Sequence, residues 1–463
     1  MDMTATRRPS AMARVTGRAR LRTVPGRIRA WTALAVLAVA GLFATATVYL
    51  GDAGDGLRVI GHGSGPQVVA TANLYFSLSD MDAQVAGVLL IGRDTGLGAG
   101  RDQALATYDR DRAAADHAVL QAADLARGDA AGQRTVQAVL DGLGQYERLA
   151  GQALKLNEQA NHAAGPPPLQ VTDLYRQATD LMKLDLLPKA YNLTLDSGTI
   201  VRRTYVAQHS AVLDGRWWII GAGVVVVALL AGLQLFLARG FRRLVSLPLA
   251  LATVGTLILV AVCAGLLTQE AAKLQTAKQD GFDSVLALSR ARAISNSMSA
   301  DETRFLLDPG RADNYMQVYL DKAQSILYLA SGTSLDKYYA GLAAHPAAFL
   351  GFFGSEAAHV TLNGQRAAIT DLVTAYDTFQ ADDQRLREGS DPIGTRMSVS
   401  SRDFGTYDQA LVALIHIHQK AFDQAIKDGD SALSGWNWLL LGSAVLLAAL
   451  ILAGVRPRIA EFG

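Results

Sequence analysis

The sequence is poor in the residues that crosslink chains or carry out catalysis. Its 463 residues include a single cysteine, Cys263, so no disulfide can form within one chain and stability must come from packing. It contains no phosphate-binding glycine-rich loop before a helix, no HExxH, no CxxC and no Gly-x-Ser-x-Gly turn. These absences exclude the common catalytic machineries. We therefore expect a protein that is not an enzyme and that has no cofactor, metal or catalytic residue.

Aromatic and charged residues are also scarce. They make up 7% and 18% of the chain, although half of it is apolar, so alanine, valine and leucine dominate, as is typical of helices. The apolar residues are concentrated in four runs without a charged side chain: 31–50, 217–238, 245–268 and 436–455. Each run has about the 20 residues that a helix needs to cross a bilayer core. We predict four transmembrane helices, and the absence of charge within them disfavours a transporter that acts alone.

The charged residues are segregated along the chain. Arginine is concentrated in residues 1–30, in the link 239–244 and in the tail 456–463, whereas the long segments 51–216 and 269–435 are net acidic. Because cytoplasmic loops of membrane proteins are rich in arginine and lysine, we expect a multi-pass protein of the plasma membrane with both termini in the cytoplasm. The two long segments then lie outside the cytoplasm. Tryptophans at the ends of the runs are expected to anchor the helices at the membrane interface: Trp31, Trp217, Trp218, Trp436 and Trp438.

Both long segments have helical periodicity that is interrupted by glycine and proline, which predicts an up-down four-helix bundle in each. An offset near 217 aligns them and matches Met81 with Met298 and Leu90 with Leu307. The predicted fold is therefore all-α, an integral membrane protein with four transmembrane helices and two duplicated extracytoplasmic bundles. The glycine-rich passage after the first run is expected to uncouple it from the next helix. Good helix formers after Gln269 predict one continuous rod from the third run, and the last exported helix is likewise expected to run into the fourth run with only Gly429 and Gly435 as weak points.

Three local patterns could carry a function. His416 and His418 are two residues apart and point away from each other on a helix, so they are expected to be solvated or core residues and not metal ligands. The aromatic passage 338–353 could cap a bundle core, lie on the outer leaflet or form a partner surface. Polar turns far from the membrane would meet a docking protein first, and they contain our candidate docking residues: Gly96, Gly100, Gly165, Pro168, Asp308, Asp313, Glu388 and Pro392.

Two resemblances point to signalling. The stretch ADETRFLLDPG (300–310) is similar to the end of the first helix in chemoreceptor ligand-binding bundles. The four-run plan, the passage LMKLDLLPKA (181–190) and the Ala/Arg/Gly-rich composition resemble the actinobacterial GlnX family. This second resemblance implies a relay between the amino-acid-binding lipoprotein GlnH outside and the serine/threonine kinase PknG in the cytoplasm.

The expected function is thus a transmembrane relay of extracytoplasmic amino-acid status. Its expected partners are membrane lipids, a solute-binding lipoprotein and a cytoplasmic serine/threonine kinase, with no nucleic acid. Two alternatives stay open, namely a structural or assembly factor of the cell envelope and an accessory subunit of a permease. The sequence identifies neither a ligand nor an oligomeric state.

Overall fold

A computed structural model describes residues 24–94, 96–97, 100–241, 246–346 and 348–460. This described part is helical and has no β-strand, apart from a single antiparallel bridge between Tyr328 and Leu350. The predicted all-α fold is confirmed. Residues 1–23 of the arginine-rich tail lie outside the described residues. The same is true of positions 242–245 in the link region and of positions 461–463 in the last tail.

The observed order of helices along the chain is close to the predicted order. In the first half they are α1 (Val24–Arg58), α2 (Gly65–Ile91), α3 (Arg101–Leu125), α4 (Ala130–Ala160), α5 (Leu169–Leu181) and α6 (Leu187–Phe241). In the second half they are α7 (Leu247–Gln275), α8 (Ser284–Leu307), α9 (Ala312–Ile326), α10 (Leu335–Ala343), α11 (Gly351–Ala358), α12 (Gln365–Glu388), α13 (Pro392–Gly394), α14 (Ser401–Leu433) and α15 (Trp436–Ala460). Short π-helical turns connect several of them without a break: Val59–Ser64, Met182–Leu186, Thr276–Asp283 and Thr395–Ser400.

The chain divides into two compact units. The apolar unit comprises the described parts of 1–57, 206–274 and 427–463, and the polar unit comprises 58–205 and 275–426. We call the two parts of the polar unit the N-segment (58–205) and the C-segment (275–426). The polar unit has two hydrophobic cores, one formed by the N-segment together with Leu307 and Met397 of the C-segment, and the other formed within the C-segment. Duplication of the bundles stays a prediction.

Five helical stretches of the described residues are long and apolar enough to span a membrane: Gly26–His62, Thr71–Ile91, Val201–Arg239, Leu247–Leu307 and Pro392–Pro457. Three of them contain predicted runs, and Leu247–Leu307 contains the predicted run 245–268 from its third residue onwards. The fifth, Thr71–Ile91, was not predicted as a span, and 67% of its apolar window is buried within the protein, against 22–28% for the others. This burial is what a core helix of the polar unit requires. The protein therefore has several candidate spans, and their number and orientation stay predictions.

The apolar unit exposes many large apolar side chains, as expected of helices that face lipid. Trp217, Trp218 and Trp438 are 63%, 65% and 79% exposed, whereas Trp31 and Trp436 are partly buried. Their role as interfacial anchors stays a prediction.

The expected break at the glycine-rich passage is wrong, because the chain is helical from Val24 through Ile91. Two of its glycines have a steric role. A Cβ on Gly61 would lie 2.4 Å from Cγ2 of Ile426, and one on Gly65 would lie 2.0 Å from the Ile60 carbonyl oxygen. These glycines allow close helix packing and the π-helical turn at Val59–Ser64. The free energy gained from this packing outweighs the cost of their low helix propensity.

The two other expectations about helix continuity have different outcomes. From Leu247 to Leu307 the helix is continuous through the π-helical turn Thr276–Asp283, as the sequence predicted. Between α14 and α15 the chain turns at Gly435, whose φ of 79° is accessible to glycine at little energetic cost. The expected rod into the fourth run is therefore interrupted at Gly435, one of its two predicted weak points, whereas the chain is helical at Gly429.

Candidate functional site

A buried ion pair joins the N-segment to the C-segment. Helix α2 packs against α8, and the Arg304 guanidinium donates from Nη2 to Asp82 Oδ2 at 2.6 Å. Asp82 is 0% exposed and Arg304 is 1% exposed. A buried charge is tolerated only when it is paired and hydrogen-bonded. This contact therefore requires both segments to be in register.

Asp82 collects three further donors from its own segment. Thr179 Oγ1 donates to Oδ2 at 2.7 Å, Tyr175 OH donates to the same oxygen at 3.4 Å, and Tyr146 OH donates to Oδ1 at 3.1 Å. Helices α2, α4 and α5 thus converge on one carboxylate. Because every one of these donors is buried, loss of Arg304 would leave a negative charge that only neutral hydroxyls surround.

Asp301 forms the second half of the cluster and is 0% exposed. It accepts from Arg304 Nη1 at 2.5 Å, from Lys183 at 3.3 Å and from Lys322. Burial alone would raise the pKa of Asp301, but the three cations outweigh it and hold the pKa below its ordinary value. Burial lowers the pKa of Lys322 to about 8. Burial also lowers the pKa of Lys183, so both lysines of the cluster have a pKa below its ordinary value.

Two further ion pairs at the edge of the cluster join the N-segment to the C-segment. Arg176 donates to Asp308 from Nε at 2.8 Å and from Nη2 at 2.6 Å, and Arg311 contacts Asp180 at 2.9 Å. Both pairs cross between the segments. We call the cluster of Asp82, Lys183, Asp301, Arg304 and Lys322 the buried ion cluster, and these pairs flank it.

Asp308 therefore does not lie in a solvated turn as we expected. Its side chain is 1% exposed, because Arg176 and the Tyr315 hydroxyl surround it. The other candidate docking residues differ in exposure. Gly96, Pro168, Asp313 and Glu388 are exposed, Gly100 and Pro392 are partly buried, and Gly165 is buried. Docking at these positions stays a prediction.

The structure places the two histidines in different environments. His416 is exposed and contacts Gln419 at 2.8 Å, whereas His418 is buried against Glu356 at 2.5 Å and the Asp280 carbonyl. Among the residues that the structure describes, no group of three or more potential ligands could hold a metal ion.

The aromatic passage 338–353 belongs to a core. Tyr338, Tyr339 and Phe353 are buried in the C-segment, and Phe349 and Phe352 pack against that core in partly buried positions. Of the three interpretations that the sequence allowed, core packing is confirmed. The passage is also more structured than expected, since it contains most of α10 and the start of α11.

Sequence reasoning missed the buried ion cluster. Asp82 stands between Met81 and Val85 of the apolar stripe of α2, and a carboxylate next to that stripe was the available signal. Arg304 was recognised only as part of a family-like stretch. Pairing Asp82 with Arg304 requires knowledge of which helices meet, which periodicity does not provide.

The comparisons with known proteins are specific to the N-segment. Residues 56–206 match the family model of an actinobacterial sensor domain. This part of the chain is similar to a sensor domain. Neither the curated proteins nor the solved structures contain a match to the chain. The matched range contains Asp82 and Lys183 of the buried ion cluster, and it supports a sensory or signalling role in actinobacteria.

Proposed function

We propose that this protein is a transmembrane relay that passes extracytoplasmic amino-acid status to a cytoplasmic serine/threonine kinase. A solute-binding lipoprotein would deliver the signal by docking on the polar unit. The observation that carries a sensory role is the similarity of 56–206 to an actinobacterial sensor domain. The resemblance to the GlnX family suggests the two partners.

The buried ion cluster is the element of the polar unit that a docked protein could bias. Arg304 on α8 bonds to Asp82 on α2, so a shift of α2 along α8 changes this contact, whereas the bond from Arg304 to Asp301 lies within α8. Packed interfaces of this kind tend to adopt discrete arrangements. A partner that binds one arrangement more tightly shifts the population towards it without any chemical step.

Helix continuity offers a path for the response. The helix that starts at Leu247 runs without interruption to Leu307, so it contains both the third apolar run and the Arg304 contact. Displacement of its C-terminal half would be transmitted along hydrogen-bonded backbone. The turn at Gly435 makes the fourth run a weaker path.

The exposed candidate positions Asp313 and Glu388 are the sites where we expect the lipoprotein to dock. Their carboxylates project from the start of α9 and the end of α12. On the opposite side of the membrane, the arginine-rich tail would contact anionic lipids and the kinase.

The test is crosslinking in intact cells with a photoreactive residue at Asp313 or Glu388 of the tagged, full-length protein. A matched position at the exposed Ser210 of the apolar unit serves as the control. We expect mass spectrometry to find an exported solute-binding lipoprotein at the first two positions and not at Ser210. Affinity purification of the same protein should also recover a cytoplasmic kinase. Recovery of cell-wall proteins alone, or of permease subunits alone, would contradict the relay.

A further inference from the structure

A cavity of about 380 Å³ lies next to the buried ion cluster in the polar unit. Both segments contribute to it, through Tyr75, Lys183 and Tyr191 from the N-segment and Arg290, Ile294 and Phe352 from the C-segment. Small-molecule sites in proteins have volumes of about 300–1,000 Å³ and are mostly apolar with a few polar groups. This cavity has that size and that balance of side chains.

Arg290 is the unusual group of the cavity. Its guanidinium lies 5.0 Å from the centre of the Tyr191 ring, and its Nε is buried without a hydrogen-bond partner in the described structure. No described carboxylate lies within ion-pair distance of it, whereas Arg292, two residues along α8, pairs with Asp408 at 2.6 Å. An arginine is always charged and presents a planar fork of donors. Because Nε is shielded from solvent, the Nη1 and Nη2 groups of Arg290 are the donors that can reach an anion in the cavity.

Lys183 adds a second positive charge at the same cavity. Its only described carboxylate partner is Asp301 at 3.3 Å, and Asp301 is shared with Arg304 and Lys322. The carboxylate is therefore divided among three cations and does not neutralise Lys183 alone. The electrostatic environment of the cavity favours an anionic group.

The position of Lys183 follows from a local feature of the sequence. Pro188 has no backbone N–H to continue the regular helical pattern, and the preceding residues form the π-helical turn Met182–Leu186. In this turn the N–H of Leu187 bonds to the carbonyl of Met182. Turns of this type are frequent at functional sites. Here the turn supplies Lys183, and Pro188 lines the same cavity.

The rest of the cavity wall suits a flat apolar group. Tyr75 and Tyr191 meet edge to face with ring centroids 6.4 Å apart, and Phe352 and Ile294 complete this part of the wall. Aromatic rings favour such offset and edge-on contacts with other rings.

We propose that this cavity binds a small carboxylate with an aromatic body. The carboxylate accepts paired hydrogen bonds from Arg290 and is attracted by the charge of Lys183, while the ring packs against Tyr75, Tyr191 and Phe352. The inference goes beyond the relay, because it requires no lipoprotein and no kinase. It makes the polar unit itself a receptor, with the ligand against Lys183 of the buried ion cluster.

The test is calorimetric titration of the full-length protein in lipid nanodiscs, with no partner protein present. Phenylacetate is the probe, and 2-phenylethanol, octanoate and glutamate are the comparison compounds. We expect saturable binding of phenylacetate that is at least tenfold tighter than binding of the other three. The neutral alcohol lacks the charge, octanoate lacks the ring, and glutamate lacks the apolar body.

Arg290→Gln should weaken phenylacetate binding at least tenfold, and Arg290→Lys should give an intermediate affinity because it keeps the charge and loses the fork. Arg366→Gln is the matched control, since this arginine is exposed and lines a different cavity. Thermal unfolding of each variant establishes that it is folded, and Arg290→Lys provides the result if Arg290→Gln does not fold.

Absence of phenylacetate binding, or equal binding by Arg290→Lys and the wild type, would overturn the proposal. Equal binding of the alcohol would exclude a carboxylate site, and equal binding of octanoate would exclude an aromatic one.

Discussion

The N-segment and the C-segment have similar arrangements of helices but different cores. The N-segment core is mostly aliphatic, and the hydroxyls of its two fully buried tyrosines, Tyr146 and Tyr175, donate to Asp82. In the C-segment the rings pack on one another. Phe379 stacks on Tyr407 with centroids 5.9 Å apart, and Tyr376 meets Phe353 edge to face at 5.6 Å.

This difference shows how far each segment depends on the other. The N-segment directs its buried hydroxyls at a carboxylate whose one ion-pair partner among the described residues is Arg304 of the C-segment. Asp301 of the C-segment, in contrast, also has Lys322 within its own segment. The range that matches the sensor-domain family is therefore the part that is electrostatically incomplete without its neighbour. The most informative substitutions are those that separate the effects on the two segments.

Arg304→Met should have the largest effect on stability. It leaves Asp82 as an unpaired buried charge, and removal of one partner from a buried pair costs about 3–5 kcal/mol. Hydrogen exchange on the full-length protein should show lost protection in both segments, with the greater loss in the N-segment. Arg402→Met is the control, because its pair with Asp403 is 69% exposed on the arginine side and such a change should stay within about 0.5 kcal/mol. If Arg304→Met keeps the hydrogen-exchange protection of the wild type, the ion pair does not hold the two segments together.

Core substitutions should act on one segment at a time. Leu143→Ala in the N-segment core and Phe379→Ala in the C-segment core each remove a side chain that is almost fully buried. Each should cost about 2–5 kcal/mol through lost burial and a residual cavity. Hydrogen exchange should rise first in 58–205 for Leu143→Ala and first in 275–426 for Phe379→Ala. If either variant loosens both segments equally, the two cores form a single cooperative unit.

The sequence predicted the helices well because their signals are local. Apolar periodicity and the prolines and glycines of the turns located the breaks of the N-segment to within a few residues. The contacts between segments have no such local signal. Asp82 and Arg304 are 222 residues apart, and neither residue alone indicates its partner.

Glycine was the main source of error, since one residue type has opposite uses. In the passage after α1, Gly61 permits close approach to Ile426 inside a continuous helix, so low helix propensity was the wrong criterion. At Gly435 the backbone adopts a positive φ and the helix ends. Only the environment of each glycine distinguishes packing from termination.

Ala271→Gly combined with Ala272→Gly tests whether the helix from Leu247 to Leu307 carries the signal. Each glycine should cost roughly 1 kcal/mol of helix stability, so the protein should stay folded while the helix becomes more flexible. Under the relay hypothesis, kinase phosphorylation in cells should lose its dependence on extracytoplasmic amino acids, and crosslinking to the lipoprotein should persist. The same double change at the exposed Ala113 and Ala114 of α3 is the control and should leave signalling intact. An unchanged response in the α7 variant would exclude this helix as the path.

The smallest expected effect is a pH dependence at His418 in the C-segment. Burial lowers the pKa of His418, but hydrogen bonds to the Glu356 carboxylate and the Asp280 carbonyl outweigh it and raise the pKa above its ordinary value of 6.5. A histidine with a raised pKa in the folded state stabilises the protein fully below its unfolded pKa, and this contribution is lost as the pH rises through the folded value. The free energy of unfolding, measured between about pH 5.5 and pH 8.5, should therefore fall with rising pH. His418→Asn should flatten this slope, whereas His416→Asn, at an exposed position on the same helix, should keep it. Equal slopes in the wild type and His418→Asn would assign the pH dependence to other groups and leave the C-segment core without a titrating contact at this position.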